Sequence, residues 1–129
     1  MRALIENCLP DRGSLERDLT DEDDVEALLT ELEEDSDVTV SFGVTSSSEE
    51  AELILGITLN GYLLTRYWNA DFQQLVGDPR IVGEVELTLG GQPTVTPRRW
   101  LIERADVVRI IGQYLRDSTF PRDLSWEVP

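Results

Sequence analysis

Histidine and lysine are both missing from these 129 residues, and cysteine and methionine occur once each. Without histidine there is no Ser-His-Asp or Cys-His triad, no imidazole general base, and little means of building a zinc site. The lone Cys8 cannot form an internal disulfide, and it follows the apolar run Ala3-Leu4-Ile5, a setting for a small packing residue rather than a nucleophile. No apolar stretch has the length of a membrane span and none has the layout of a signal peptide, so the chain reads as a reduced, cytoplasmic protein. Its length fits one domain over residues 1–129.

Positive charge is scarce as well. Eleven arginines face 26 acids, a formal net charge of −15. The imbalance is concentrated in residues 1–60, with 17 acids and three arginines, while residues 61–129 hold nine acids and eight arginines. Such a first half disfavours nucleic acid or anionic membrane as a partner and leaves two readings, a solvated surface or a basic protein partner.

What is present is a regular alternation of strand and helix signals. Asn60-Gly61 sits between the apolar runs of Glu52 to Trp68, and this dipeptide predicts a two-residue hairpin turn. That turn would pair Leu59 with Tyr62, Ile57 with Leu64, Leu55 with Arg66 and Leu53 with Trp68 on one largely apolar face. Upstream, Arg2 to Asn7 fits a short strand, Leu9 to Ser14 a turn, and Thr20 an N-cap for a helix running from Asp21 to about Glu34. In that helix Val25, Leu28, Leu29 and Leu32 form one apolar stripe. Asp23 and Glu34 point away from it, with Asp24, Glu26 and Glu31 on its flanks, an acidic ridge that Asp35 and Asp37 continue. Val38 to Val44 alternate as a strand, and 45–49 reads as a polar connection.

After Trp68, residues 69–80 show no convincing period and read as an irregular excursion off the sheet, of a length that often carries function. Val85, Leu87 and Leu89 alternate with polar residues as a strand, and Pro93 confines the next one, Thr94 to Thr96, to an edge. Thr96-Pro97 looks like the start of a second helix with Leu101, Ala105, Val108, Ile111 and Leu115 as its stripe, widened by Ile102 and Tyr114. The tail Leu124-Ser125-Trp126 should dock an aromatic on the sheet or the helix. The order predicts an α+β fold: an antiparallel sheet with a central Asn-Gly hairpin, and one helix near each end of the chain packed on it.

Catalytic chemistry does not assemble. Carboxylate pairs are too abundant to be specific. Asp21-Glu22-Asp23-Asp24 lacks the alternate spacing and central glycine of an EF-hand, and Gly83, Gly90 and Gly91 match no nucleotide-binding fingerprint. The expectation is a non-enzyme with no metal and no cofactor.

Residues 97–126 resemble the C-terminal signature of the first-numbered immunity protein family of bacterial polymorphic toxin systems. That signature is an amphipathic helix with alanine near its start and leucine or phenylalanine near its end, a polar turn, a proline and a tryptophan, here Ala105, Leu115, Pro121 and Trp126. The family usually has glycine in the turn, where Asp117-Ser118-Thr119 stands in this chain. The resemblance implies a protein that binds a cognate toxin, often a nucleic-acid deaminase, as a monomer within a heterodimer, and blocks it without chemistry. An acidic surface suits the phosphate-binding groove of such a toxin, which designates Asp23, Asp24, Glu26, Glu31, Glu34, Asp35 and Asp37 as partner-binding. Loop 69–80 is the competing contact. Asn60, Gly61, Pro121 and Trp126 are assigned structural roles. The runner-up is a small acidic secretion chaperone, which would be a dimer holding an extended client segment.

Overall fold

A computed structural model describes residues 1–8, 11, 13–35, 37–43, 52–89 and 91–129. The polar connection at 45–49, Val44 and most of the Leu9–Arg12 turn lie outside the described residues. The elements in chain order are β1 (Arg2–Cys8), β2 (Gly13–Asp18), α1 (Glu22–Glu31), β3 (Val38–Phe42), β4 (Leu53–Thr58), β5 (Gly61–Trp68), β6 (Asp71–Val76), β7 (Glu84–Leu89), β8 (Gln92–Pro97), a 3-10 turn (Arg98–Trp100), α2 (Arg104–Asp117) and β9 (Ser125–Glu127). Seven strands make one sheet in the order β2-β1-β3-β4-β5-β6-β9, every pairing antiparallel, and β7-β8 form a separate two-stranded ribbon. The fold is α+β, as the order of elements predicts.

Alternation decides which face of the sheet is buried. Ala3, Ile5, Val38, Val40, Leu53, Leu55 and Leu64 are all but inaccessible, and they share one core with Val25, Leu28 and Leu29 of α1 and Val107, Ile110 and Ile111 of α2. Burying a side chain of this size contributes roughly 1.5–3 kcal/mol. The opposite face is small at Gly56, where a Cβ would come within 3.0 Å of Leu89 Cδ2, and this lets the β7-β8 ribbon lie against β4.

The β4-β5 hairpin is central, but its register differs from the expected one. Ile57 pairs with Tyr62, Leu55 with Leu64 and Leu53 with Arg66, two residues away from the predicted partners. Thr58 pairs with Gly61, so Leu59 and Asn60 form the turn and Leu59 is left 89% exposed. Two contacts explain the shift. The Thr58 hydroxyl donates to Gly61 O and accepts from Asn60 N, which holds a two-residue turn one residue earlier than expected. Gly61 is also drawn into the strand beside Ile102, whose bridge to Tyr62 places its carbonyl 3.2 Å from where a Gly61 Cβ would be. Because side chains alternate with period two, a slip of two keeps every side chain on its face.

Residues 69–80 are not an irregular excursion. Asn69 and Ala70, both at positive φ (50° and 65°), form a two-residue turn, and β6 pairs back on β5 from Trp68↔Asp71 to Thr65↔Gln74. The positive-φ turn expected at Asn60-Gly61 is therefore found here. Gln74 is buried and satisfied, its amide donating to Leu64 O and its carbonyl accepting from the Thr65 hydroxyl.

The helices also depart from their expected limits. Asp21, not Thr20, caps α1 by accepting from Asp24 N at 3.0 Å, and the helix closes at Leu32, which places Glu34 beyond its end. Thr96 and Pro97 finish β8 rather than starting a helix; Thr96 is buried in the ribbon. The second helix starts at Arg104, with Glu103 and Asp106 capping each other's backbone N–H groups. Its buried stripe is accordingly Val107, Ile110, Ile111 and Tyr114, while Ala105 is exposed and Val108 and Leu115 sit at the margin.

Candidate functional site

The described acids of α1 and its exit turn separate into three groups. Asp23 and Glu34 are exposed and bond to no described residue. Asp24 turns back on its own cap: Oδ2 accepts from the Thr20 backbone N–H at 2.7 Å and the Thr20 hydroxyl at 2.8 Å, and these bonds hold its carboxyl below the usual range. Glu22, Glu26 and Glu31 are held by arginines. Arg104 of α2 donates to Glu26 Oε2 at 2.8 Å, Glu26 O at 3.1 Å and Thr30 Oγ1 at 2.7 Å. Its bonding to Glu26 raises the guanidinium's pKa. Arg17 of β2 reaches Glu31 at 2.8 Å, and Arg116 of α2 reaches Glu22 at 2.9 Å.

These pairs are part-exposed and each contributes at most about 1 kcal/mol. Their larger consequence is positional, because they fix α1 along α2 with its outer side turned to solvent. Close approach at Gly112 assists: a Cβ there would overlap the Glu22 side chain. Between residues 21 and 35 nine acids face these three arginines, so the ridge remains strongly negative. Asp35 is half-buried at the exit turn. Asp37 does not join the ridge. It is 8% exposed, at φ 62°, and its carboxylate accepts from Asn7 Nδ2 at 3.1 Å and Gly91 N at 3.0 Å, tying β1 and the β7-β8 turn to the start of β3.

A second surface was not legible as a site. Tyr67 (48%), Trp68 (48%) and Phe72 (52%) stand exposed on the β5-β6 hairpin, with the Tyr67 and Phe72 rings 5.3 Å apart. On the face of that hairpin opposite to Tyr67 and Phe72, the face of Arg66 and Trp68, is a groove of about 340 Å³ between the end of β5 and the turn after α2, lined by Arg66, Trp68, Phe120, Pro121 and Trp126. The Arg66 guanidinium lies 4.0 Å from the Trp126 ring centre, 4.8 Å from Trp68 and 5.2 Å from Phe120. Trp126 meets Phe120 edge-on at 5.2 Å and pairs with Leu75 on β6. Pairing residues 67 and 72 across an Asn69-Ala70 turn was the signal for this patch, had the turn been recognised.

The tail is fixed by Glu127, which accepts from Arg99 Nη2 at 2.7 Å and from the Trp100 indole N–H, contacts that hold its carboxyl below the usual range. Trp126, beside Glu127, pairs with Leu75 of β6, and Pro121 lies in the turn between α2 and this strand. That turn contains Ser118 in the left-handed region at φ 61°, its N–H bonded to Tyr114 O at 2.8 Å. This is the conformation glycine adopts most easily, so a serine here keeps the geometry of a glycine-containing turn.

The family model of Immunity protein Imm1 matches residues 14–128, and the chain belongs to this family. Neither a curated protein nor a solved structure matches it. Its role is that of an immunity protein acting against a toxin. Among the described residues, no helix is long and apolar enough to cross a membrane.

Proposed function

We propose that this protein neutralises a nucleic-acid-targeting toxin, of deaminase type, in the cytoplasm by laying the acidic ridge of α1 over the toxin's basic substrate groove, one copy of each chain per complex and without catalysis. The observation that supports this reading is the excess of nine acids in residues 21–35 over the three arginines that reach them from β2 and α2. A toxin that acts on DNA or RNA must itself present positive charge to phosphates. A fixed negative ridge meets that charge, speeds encounter and excludes the substrate.

Asp23 and Glu34 are the informative positions because reversing them breaks no internal bond. Asp23→Lys with Glu34→Lys should slow association with the cognate toxin roughly tenfold at low salt and flatten its salt dependence, leaving the melting temperature close to wild type. Stopped-flow association rates at several salt concentrations are the measurement. Unchanged rate and unchanged salt slope would place the interface elsewhere.

A further inference from the structure

Acids outnumber arginines more than two to one in this chain, yet one half-buried guanidinium has no carboxylate. Among the described residues arginines 66, 98 and 122 lack a carboxylate within 4 Å; Arg98 and Arg122 are exposed, and Arg66 alone is half-buried. Its Nε donates to Gln73 Oε1 at 2.9 Å, and neither Nη donates to any described residue. Burial lowers the group's pKa, with no ionic contact to offset the effect. Three aromatic rings hold the guanidinium in place, so the fork faces the groove without needing to be ordered on binding.

We propose that this groove is a docking site for a carboxylate side chain of the bound toxin, clamped by the two Nη groups of Arg66 and flanked by Trp68 and Trp126. A protein carboxylate is the occupant because the two free Nη groups match its two oxygens. Nucleic acid, which offers phosphates to the same fork, is repelled by a net charge of −15. The surroundings have the composition of a binding hot spot: Trp68, half exposed, and Trp126 flank an arginine on one face of the sheet. The proposal rests on membership of the immunity family, not on the ridge. It adds an acid-accepting contact to a protein whose charge otherwise suits basic partners.

The test is the affinity of the purified cognate toxin, catalytically inactivated, for Arg66→Gln, Arg66→Lys and Trp68→Ala, measured by surface plasmon resonance. Arg66→Gln should weaken binding at least tenfold, through faster dissociation and with little change in the association rate. Trp68→Ala, at an exposed ring that no core contact needs, should weaken it severalfold, and Arg66→Lys should fall between wild type and Arg66→Gln. If Arg66→Gln melts far below wild type, Trp68→Ala and Arg66→Lys decide the matter. Affinities within twofold of wild type for the folded variants would overturn the proposal while leaving the ridge reading intact. Normal ridge variants beside a weakened Arg66→Gln would do the reverse. Binding of a single-stranded oligonucleotide that Arg66→Gln abolishes would also overturn it, as would the absence of any complex between wild type and toxin.

Discussion

Replacing Asp37 by alanine separates a structural acid from a binding one. By its place in the sequence Asp37 continues the ridge, but its carboxylate is buried and accepts from Asn7 Nδ2 and Gly91 N. Hydrogen bonds to a charged acceptor contribute roughly 1.5–3 kcal/mol each, and alanine in the left-handed conformation of residue 37 adds a steric cost of about 1 kcal/mol. Partial exposure and the entry of water reduce the sum, and the net loss should be about 2–4 kcal/mol. For 129 residues the unfolding entropy is roughly 0.27 kcal/mol/K, so the melting temperature should drop by about 7–15 °C. Circular dichroism melts give the shift, and toxin affinity measured well below the variant's midpoint should stay near wild type. A melting temperature within about 2 °C of wild type would refute this energetic account. So would a loss of affinity in a variant that melts normally, since that outcome would make Asp37 a contact residue.

Two smaller perturbations address the tail. Ser118→Gly relieves a left-handed serine at the end of α2 and should stabilise by about 0.5–1 kcal/mol, read as a higher midpoint in urea; a lower midpoint would mean that the Asp117–Thr119 contacts already compensate. Glu127, whose carboxyl is depressed by Arg99 and then Trp100, contributes stability that is present above the unfolded carboxylate pKa of about 4 and lost as pH falls through its lower folded pKa. Melts below about pH 4 should therefore show a shallower acid decline for Glu127→Gln than for wild type, and parallel declines would remove the tail from the account of acid sensitivity.

The sequence is most informative where one face of an element is buried throughout. Val25, Leu28 and Leu29 of α1, and the alternating residues of β3, β4 and β7, sit where their spacing predicts because a single burial pattern constrains them. The hairpin register escaped for a related reason: a slip of two residues leaves the burial pattern unchanged, so only the turn's own contacts could distinguish the alternatives. β2 was missed because an edge strand need not alternate; Ser14, Glu16 and Asp18 are exposed and only Leu15 packs on the core. β6 was missed because alanine at a positive-φ turn position carries no turn signature. For α2, the Thr-Pro pair is a valid local start, but the ribbon claims those residues for pairing with Glu84 and Val85. At the candidate site the acidic side of α1 was legible from periodicity. The arginines that hold it were not, since Arg104 lies 78 residues from Glu26.

Arginine placement also bears on how one small surface can attract a partner and then retain it. A bare run of acids on a single helix repels itself, and the bonds from Arg17, Arg104 and Arg116 offset that repulsion along the flanks while leaving Asp23 and Glu34 outward. Two of these arginines belong to α2, so the helix that carries the ridge is fixed by the helix that carries the tail. The Glu22–Arg116 pair and the close contact at Gly112 bring the first turn of α1 to the last turn of α2, and the turn that follows forms one wall of the Arg66 groove. On the proposed reading, a partner seated on the start of the ridge is thereby brought toward the aromatic groove. Long-range attraction governs the rate of encounter, whereas desolvated contacts govern the rate of escape. On the proposed assignments, ridge variants should therefore act on association and groove variants on dissociation. Combining Asp23→Lys with Arg66→Gln should multiply the two effects, because the surfaces act on different steps; strong non-additivity would mean that both belong to one contact.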